Sequence, residues 1–156
     1  MGRRIPLTVT EDLRVKAGIL IFSKELQTAH STPINMFIDT GSTVTILNRF
    51  TAETLGISIE RLRRSPSPIA GFGTGAVPAY LIENVYLILI GSDGTSYSPV
   101  KMESILVNSQ KPHIKKKKGV MKSRPPPPDV LGADYFNKSG LKLYVDFRNR
   151  TAYVEE

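Results

Sequence analysis

Asp39, Thr40, Gly41 and Ser42 follow directly on the alternating apolar run Ile34 to Ile38, so a hydrophobic strand ends on a carboxylate, a hydroxyl, a glycine and a second hydroxyl. A strand that stops at polar and glycine residues is ordinary turn chemistry. The continuation "TVTIL" argues for more, because a second strand-like run resumes at Thr43. One tight polar turn between two buried strands holds a carboxylate in a fixed position. A carboxylate held that way can take or give a proton at a reacting group. Two further stretches carry chemistry-bearing types. Gly71, Phe72, Gly73, Thr74 and Gly75 form a glycine-rich turn between strand-forming residues, and "DVLGAD" at 129–134 runs an apolar pair into Gly132. Asp93-Gly94 lies in a loop, without an apolar strand running directly into it as one runs into Asp39. Phosphate binding by "GFGTG" is a poor fit, since neither a P-loop lysine nor a following helix is present.

The elements that must position these residues are mostly strands. "RIPLTVT", "LRVKAGILIFSKE", "INMFIDT", "TVTILN", "AVPAYLIENVYLILIG", "VKMESILVN" and "LKLYVDF" are rich in Val, Ile, Leu, Tyr and Thr with partial alternation. Turn signals separate them at Thr32-Pro33, at Ser92 to Gly94 and at Arg148 to Arg150. Two short helices are predicted, one over "NRFTAETLG" stopping at Gly56 and one opening near Asp134 and closing at Gly140. Many short strands with one or two helical turns imply an all-β, closed or sandwich-like domain.

The 156 residues suit one domain with a real core, and 40% hydrophobic with 22% charged residues is a soluble globular composition. With no cysteine, disulfides and thiolate metal sites are excluded, and His30 and His113 are too far apart in sequence to suggest a metal site. The N-terminus has no apolar core of a signal peptide, and the most apolar stretch, interrupted by Glu83, is too short to span a bilayer. A soluble cytoplasmic protein without membrane partners is the expectation. The net charge of +7 is local. Seven lysines and arginines lie between Lys111 and Arg124 with no acid among them; the remaining 14 basic residues equal the 14 acids. The segment 108–129, with like charges and four consecutive prolines, reads as a disordered surface insertion unable to pair in a sheet.

The order of "FIDTGS", a glycine-rich turn and "VLGAD" leading into a helix resembles the retropepsin-like aspartic proteases, over roughly Leu13 to Val154. The resemblance implies a single retropepsin-like domain, a closed β-barrel of acid-protease type with a flap hairpin and one or two short helices. It implies an aspartic endopeptidase with Asp39 as the catalytic residue, acting on peptides through an activated water and needing no cofactor or metal. Thr40 resembles the threonine that hydrogen-bonds across a dimer axis, Gly41 lets the backbone direct an amide at the carboxylate, and Ser42 can donate to the outer oxygen of Asp39. Gly71 to Gly75 would be the substrate-binding flap, and Gly132 would pack under the active-site loop. The chemistry requires two carboxylates sharing a proton. The chain has one Asp-Thr-Gly, so a homodimer must bring two copies of Asp39 together.

The chain departs from compact viral enzymes in the basic insertion and in the terminal "LKLYVDFRNRTAYVEE", which reads as a hairpin. Two other classes of function compete: a non-catalytic dimerisation or peptide-binding module, against which the intact Asp39-Thr40-Gly41 argues, and an anion or nucleic-acid binder acting through Lys115 to Lys118. Without interleaved aromatics, that lysine run offers phosphate attraction and little base recognition.

Overall fold

Residues 2–24, 26, 32–70, 75–111, 114–117, 119–123 and 125–156 are described by the computed structural model. Along them run β1 (Arg4–Val9), β2 (Val15–Phe22), β3 (Ile34–Ile38), β4 (Ile46–Asn48), α1 (Arg49–Thr54), a 3-10 turn (Ile59–Arg61), β5 (Arg63–Arg64), β6 (Ala79–Ile90), β7 (Val100–Asn108), β8 (Ile114–Lys117), β9 (Val120–Ser123), β10 (Val130–Leu131), α2 (Ala133–Ser139), β11 (Lys142–Asp146) and β12 (Thr151–Glu155).

The alternation in the sequence becomes the inside and outside of a barrel. In β2, Val15, Ala17, Ile19 and Ile21 are buried while their neighbours are not, as the period of two requires. Strands β2, β3, β10, β4, β7 and β6 hydrogen-bond in that order, and β6 pairs back onto β2 from Gly18↔Ile90 to Phe22↔Tyr86. The six strands therefore close on themselves, which leaves the ring without an edge. Ile19, Met36, Leu47, Leu87, Leu89 and Leu131 fill the interior with essentially no exposure. Burial of each such side chain contributes about 2 kcal/mol.

Outside the ring, β1 spans two sheets. Its end pairs with β2 (Thr8↔Lys16, Val9↔Val15), and its start pairs with β12 (Arg4↔Glu155 to Leu7↔Ala152). β12 also pairs with β11 (Lys142↔Glu155 to Asp146↔Thr151), so both ends of the chain close within one three-stranded sheet. Tyr144 stacks on Tyr153 with centroids 4.9 Å apart, and the Arg4 guanidinium lies 4.6 Å from the Tyr153 centroid.

Both predicted helices are present. Asn48 caps α1 by accepting from the Thr51 amide at 2.7 Å, and Gly140 ends α2 at φ +72°, where a glycine is favoured. Two expectations are corrected. The strand expected from Thr43 begins only at Ile46, because the Thr45 amide and hydroxyl are taken by the Asp134 carboxylate instead of a strand neighbour. Within the segment 108–129, expected to lack sheet pairing, β8 and β9 form an antiparallel hairpin from Ile114↔Ser123 to Lys117↔Val120. Gly119, at φ +77°, supplies the turn, and the four prolines at 125–128 lie beyond the paired residues. His30, His113, Lys118 and Arg124 lie outside the described residues. Among the described residues no helix is long and apolar enough to cross a membrane.

Candidate active site

The Asp39 loop is built by an unusual strand order. β3 and β4 are consecutive in the chain, yet β10 lies between them, parallel to β3 (Val130↔Phe37, Leu131↔Ile38) and antiparallel to β4 (Val130↔Ile46). The connection 39–45 must therefore arch over the end of β10. The Phe37 amide donates to Asp129 O at 2.9 Å and the Asp39 amide to Leu131 O at 3.1 Å, which carries the ladder up to the carboxylate residue itself. Where the arch crosses the end of β10, the chain has Gly132. A methyl group there would collide with the Val44 carbonyl and stand 3.0 Å from Ser42 O. The next amide, Ala133 N, donates to Ser42 O at 2.8 Å and fastens the arch to the start of α2.

Within the arch, Asp39, Thr40 and Gly41 are exposed. The Gly41 amide donates to Asp39 Oδ1 at 2.9 Å, and the Ser42 amide donates to Asp39 O at 3.1 Å. A methyl at Gly41 would stand 3.1 Å from the same Oδ1, so the close approach is made with a glycine. Ser42 departs from expectation. Its hydroxyl donates to Val44 O at 2.7 Å. A hydroxyl has one proton to give, and here the half-buried serine ties down the arch instead of donating to the outer oxygen of Asp39.

Beneath the arch sit two carboxylates with internal duties. Asp134 accepts from Thr45 N at 3.0 Å, Thr45 Oγ1 at 2.7 Å and its own neighbour Tyr135 N at 2.8 Å. Fully buried Thr45 in turn accepts from Gly132 N at 3.1 Å. Asp129 is buried and accepts from Asn48 N at 2.7 Å and Thr51 Oγ1 at 2.6 Å. Burial pushes its carboxyl above the usual range, and the bonds from Thr51 and Asn48 offset part of that rise. Thr45 was not singled out by sequence. The available signal was a first-turn Asp134 two residues after the glycine, a position where a carboxylate can bond nearby amides.

Asp39 and Thr40 lie at a groove of about 480 Å³ whose apolar walls include Leu13, Phe37, Val130, Leu143, Val145 and Phe147. The Arg14 guanidinium sits 5.1 Å from the Phe37 ring centroid and Pro128 also lines the groove. The glycine-rich turn begins and ends on Ile69 and Val77, which bond each other in both directions at 2.9 and 2.8 Å. Ile69 packs with Ile46, Ala79 and Val130, and Val130 is also the β10 residue that pairs with Phe37 and Ile46 beside the Asp39 arch. Gly75 has φ +77°. Gly71, Phe72, Gly73 and Thr74, the rest of the expected flap, lie outside the described residues.

Two solved structures are similar over nearly the whole chain. One is a retropepsin-like aspartic protease from Rickettsia conorii, with a TM-score of 0.56 and 13% identity over 99% of this chain and 92% of that one. The other is the EIAV protease complexed with the inhibitor HBY-793, with a TM-score of 0.52 and 20% identity over 88% of this chain and 99% of that one. No family model and no curated protein matches the sequence. The likeness is one of fold: a closed six-stranded barrel with two helices, retropepsin-like in architecture.

Proposed function

We propose that this retropepsin-fold chain is an aspartic endopeptidase that works as a homodimer, each copy contributing Asp39 to one shared centre. The observation that carries the reading is the mounting of Asp39. It is an exposed carboxylate fixed by the Gly41 amide at the mouth of an apolar groove, while Asp129 and Asp134 are engaged by buried donors. A second catalytic carboxylate must then come from a second copy.

Two carboxylates a few ångströms apart hold one proton between them, because both cannot ionise easily. The ionised Asp39 takes a proton from water as the water oxygen attacks the peptide carbonyl. The protonated Asp39 of the other copy gives its proton to the carbonyl oxygen. Collapse of the resulting tetrahedral species breaks the C–N bond, and a proton passes to the leaving amine. Thr40 and Gly41 hold the loop, the groove takes an apolar side chain of an extended peptide, and Gly71 to Gly75 are assigned as the substrate-binding flap. The water is the nucleophile, so the reaction draws on no cofactor.

The test incubates the wild-type protein and Asp39→Asn with an unfolded protein substrate from acid to neutral pH. Cleavage by the wild type alone is expected. Equal cleavage by both would sink the assignment, and a dimer that cleaves nothing would identify a binding module instead.

A further inference from the structure

We propose that the β8–β9 hairpin is a docking arm for an acidic stretch of the substrate, lying a few residues from the bond cut at Asp39; this rests on the peptidase reading above. Three observations lead to it. The first is charge placement: the seven basic residues between Lys111 and Arg124 account for the whole net charge of +7, and the remainder of the chain is formally neutral. The second is the hairpin register. Lys115 and Lys122 are cross-strand partners, and Lys117 is two residues along from Lys115 on the same strand, so these three positions share one face of the two-stranded ribbon. Like charges at facing positions disfavour strand pairing, and a two-stranded ribbon is marginal by itself. An anionic segment against that face removes the repulsion.

The third observation is the connection to the site. β9 leads through Pro125 to Pro128 into Asp129 and β10, and Pro128 lines the groove that holds Asp39. Four prolines in an extended polyproline helix span about 12 Å. An extended peptide covers that distance in roughly four residues, so acidic residues roughly four to eight positions from the scissile bond come within reach of the arm. A nucleic acid is the less suitable occupant. The stretch 108–129 contains no Phe, Tyr or Trp on which a base could stack, and the rest of the chain carries no net positive charge to draw a phosphate backbone onward.

The experiment uses the full-length protein and two fluorescent peptides. Both share one uncharged core that the wild type cleaves; one carries a glutamate tail beginning roughly six residues from the cut bond, the other a glutamine tail. Binding is read by anisotropy on Asp39→Asn, so it reports even if no peptide is cleaved. Failure of cleavage with retained tail binding would count against the peptidase reading and leave the arm standing. The glutamate peptide is expected to bind about tenfold more tightly, the order expected of three exposed charge pairs. The preference should vanish between about 50 and 500 mM salt. Lys115→Gln, Lys117→Gln and Lys122→Gln together should abolish it, whereas the triple Lys→Arg variant should retain it. In turnover, the glutamate tail should lower KM and leave kcat unchanged. Equal binding of the two peptides would overturn the proposal, as would a preference that survives the glutamine substitutions. Tighter binding of an oligothymidylate that is not displaced by the glutamate peptide would also overturn it, in favour of a nucleic-acid arm.

Discussion

Thr45 and Asp134, 89 residues apart, are joined by two hydrogen bonds, from the threonine amide at 3.0 Å and from its hydroxyl at 2.7 Å. The same hydroxyl accepts from Gly132 N, so one buried side chain links the Asp39 arch, the end of β10 and the start of α2. Thr45→Val removes both hydroxyl bonds and leaves the buried Gly132 amide unpaired. A loss of about 2 kcal/mol in unfolding free energy is expected. Because the arch also loses an anchor, kcat/KM should fall by on the order of tenfold to a hundredfold with the fold intact by circular dichroism. Thr45→Ser keeps the hydroxyl and should recover most of both. Full activity in a stably folded Thr45→Val would show that this link does not position Asp39.

The serine two residues before Val44 allows a sharper test. With its proton given to Val44 O, Ser42 has none to donate to the Asp39 carboxylate of the proposed shared centre. Ser42→Ala is expected to leave the alkaline limb of the kcat/KM profile unmoved while lowering the melting temperature, since the Val44 carbonyl loses its donor. An upward shift of that limb would place the hydroxyl on the carboxylate after all.

How much of this site was legible in the sequence depends on how local each signal is. The alternation in 15–21 and 34–38, the glycine stop at Gly140 and the carboxylate at Asp39 are short-range patterns, and the structure places them as the pattern implies. β10 is two residues long, too short to show a period. Its insertion between β3 and β4 is a long-range event that only Gly132 marks, as a position where another backbone comes close. Ser42 illustrates a different limit: two acceptors lie within its reach in sequence, and only the three-dimensional arch selects the carbonyl. In the basic hairpin, charge repulsion argued against pairing, but a left-handed glycine at 119 and β-branched residues at 114 and 120 favour it.

Asp129 links stability to pH. Its carboxyl is held above the ordinary value of 3.8, chiefly by burial. Between that value and the raised one, the folded protein binds more protons than the unfolded chain, so stability falls as pH rises through the window and is flat above it. Asp129→Asn cannot titrate and should remove that component of the slope in denaturant midpoints measured from pH 3 to 7 at fixed protein concentration. Asp129→Ala instead leaves the Asn48 amide and Thr51 hydroxyl unpaired and should cost about 2–4 kcal/mol across the whole range. An unchanged slope in Asp129→Asn would mean that other carboxylates set the acid behaviour.

The final prediction concerns what dissociation does. β1, β12 and β11 complete a sheet inside one chain, with Arg4 and Glu155 paired both in register and through an Arg4 Nε to Glu155 Oε1 bond of 2.8 Å. The chain ends are thus already paired without a partner, and a separated subunit keeps its barrel and its terminal sheet. Activity by the proposed mechanism, in contrast, needs two copies of Asp39. Specific activity should therefore fall roughly in proportion to concentration once the protein is diluted below the dimer dissociation constant, while circular dichroism per residue stays constant. Thr40→Val should move that fall to higher concentration without altering the subunit's spectrum, because Thr40 is exposed in the isolated chain and has its proposed role only across the axis. Sedimentation velocity run beside the activity assay over the same dilutions measures both quantities. A monomer with undiminished specific activity would refute the shared centre, and loss of secondary structure on dilution would show that the partner is needed for the fold and not only for the chemistry.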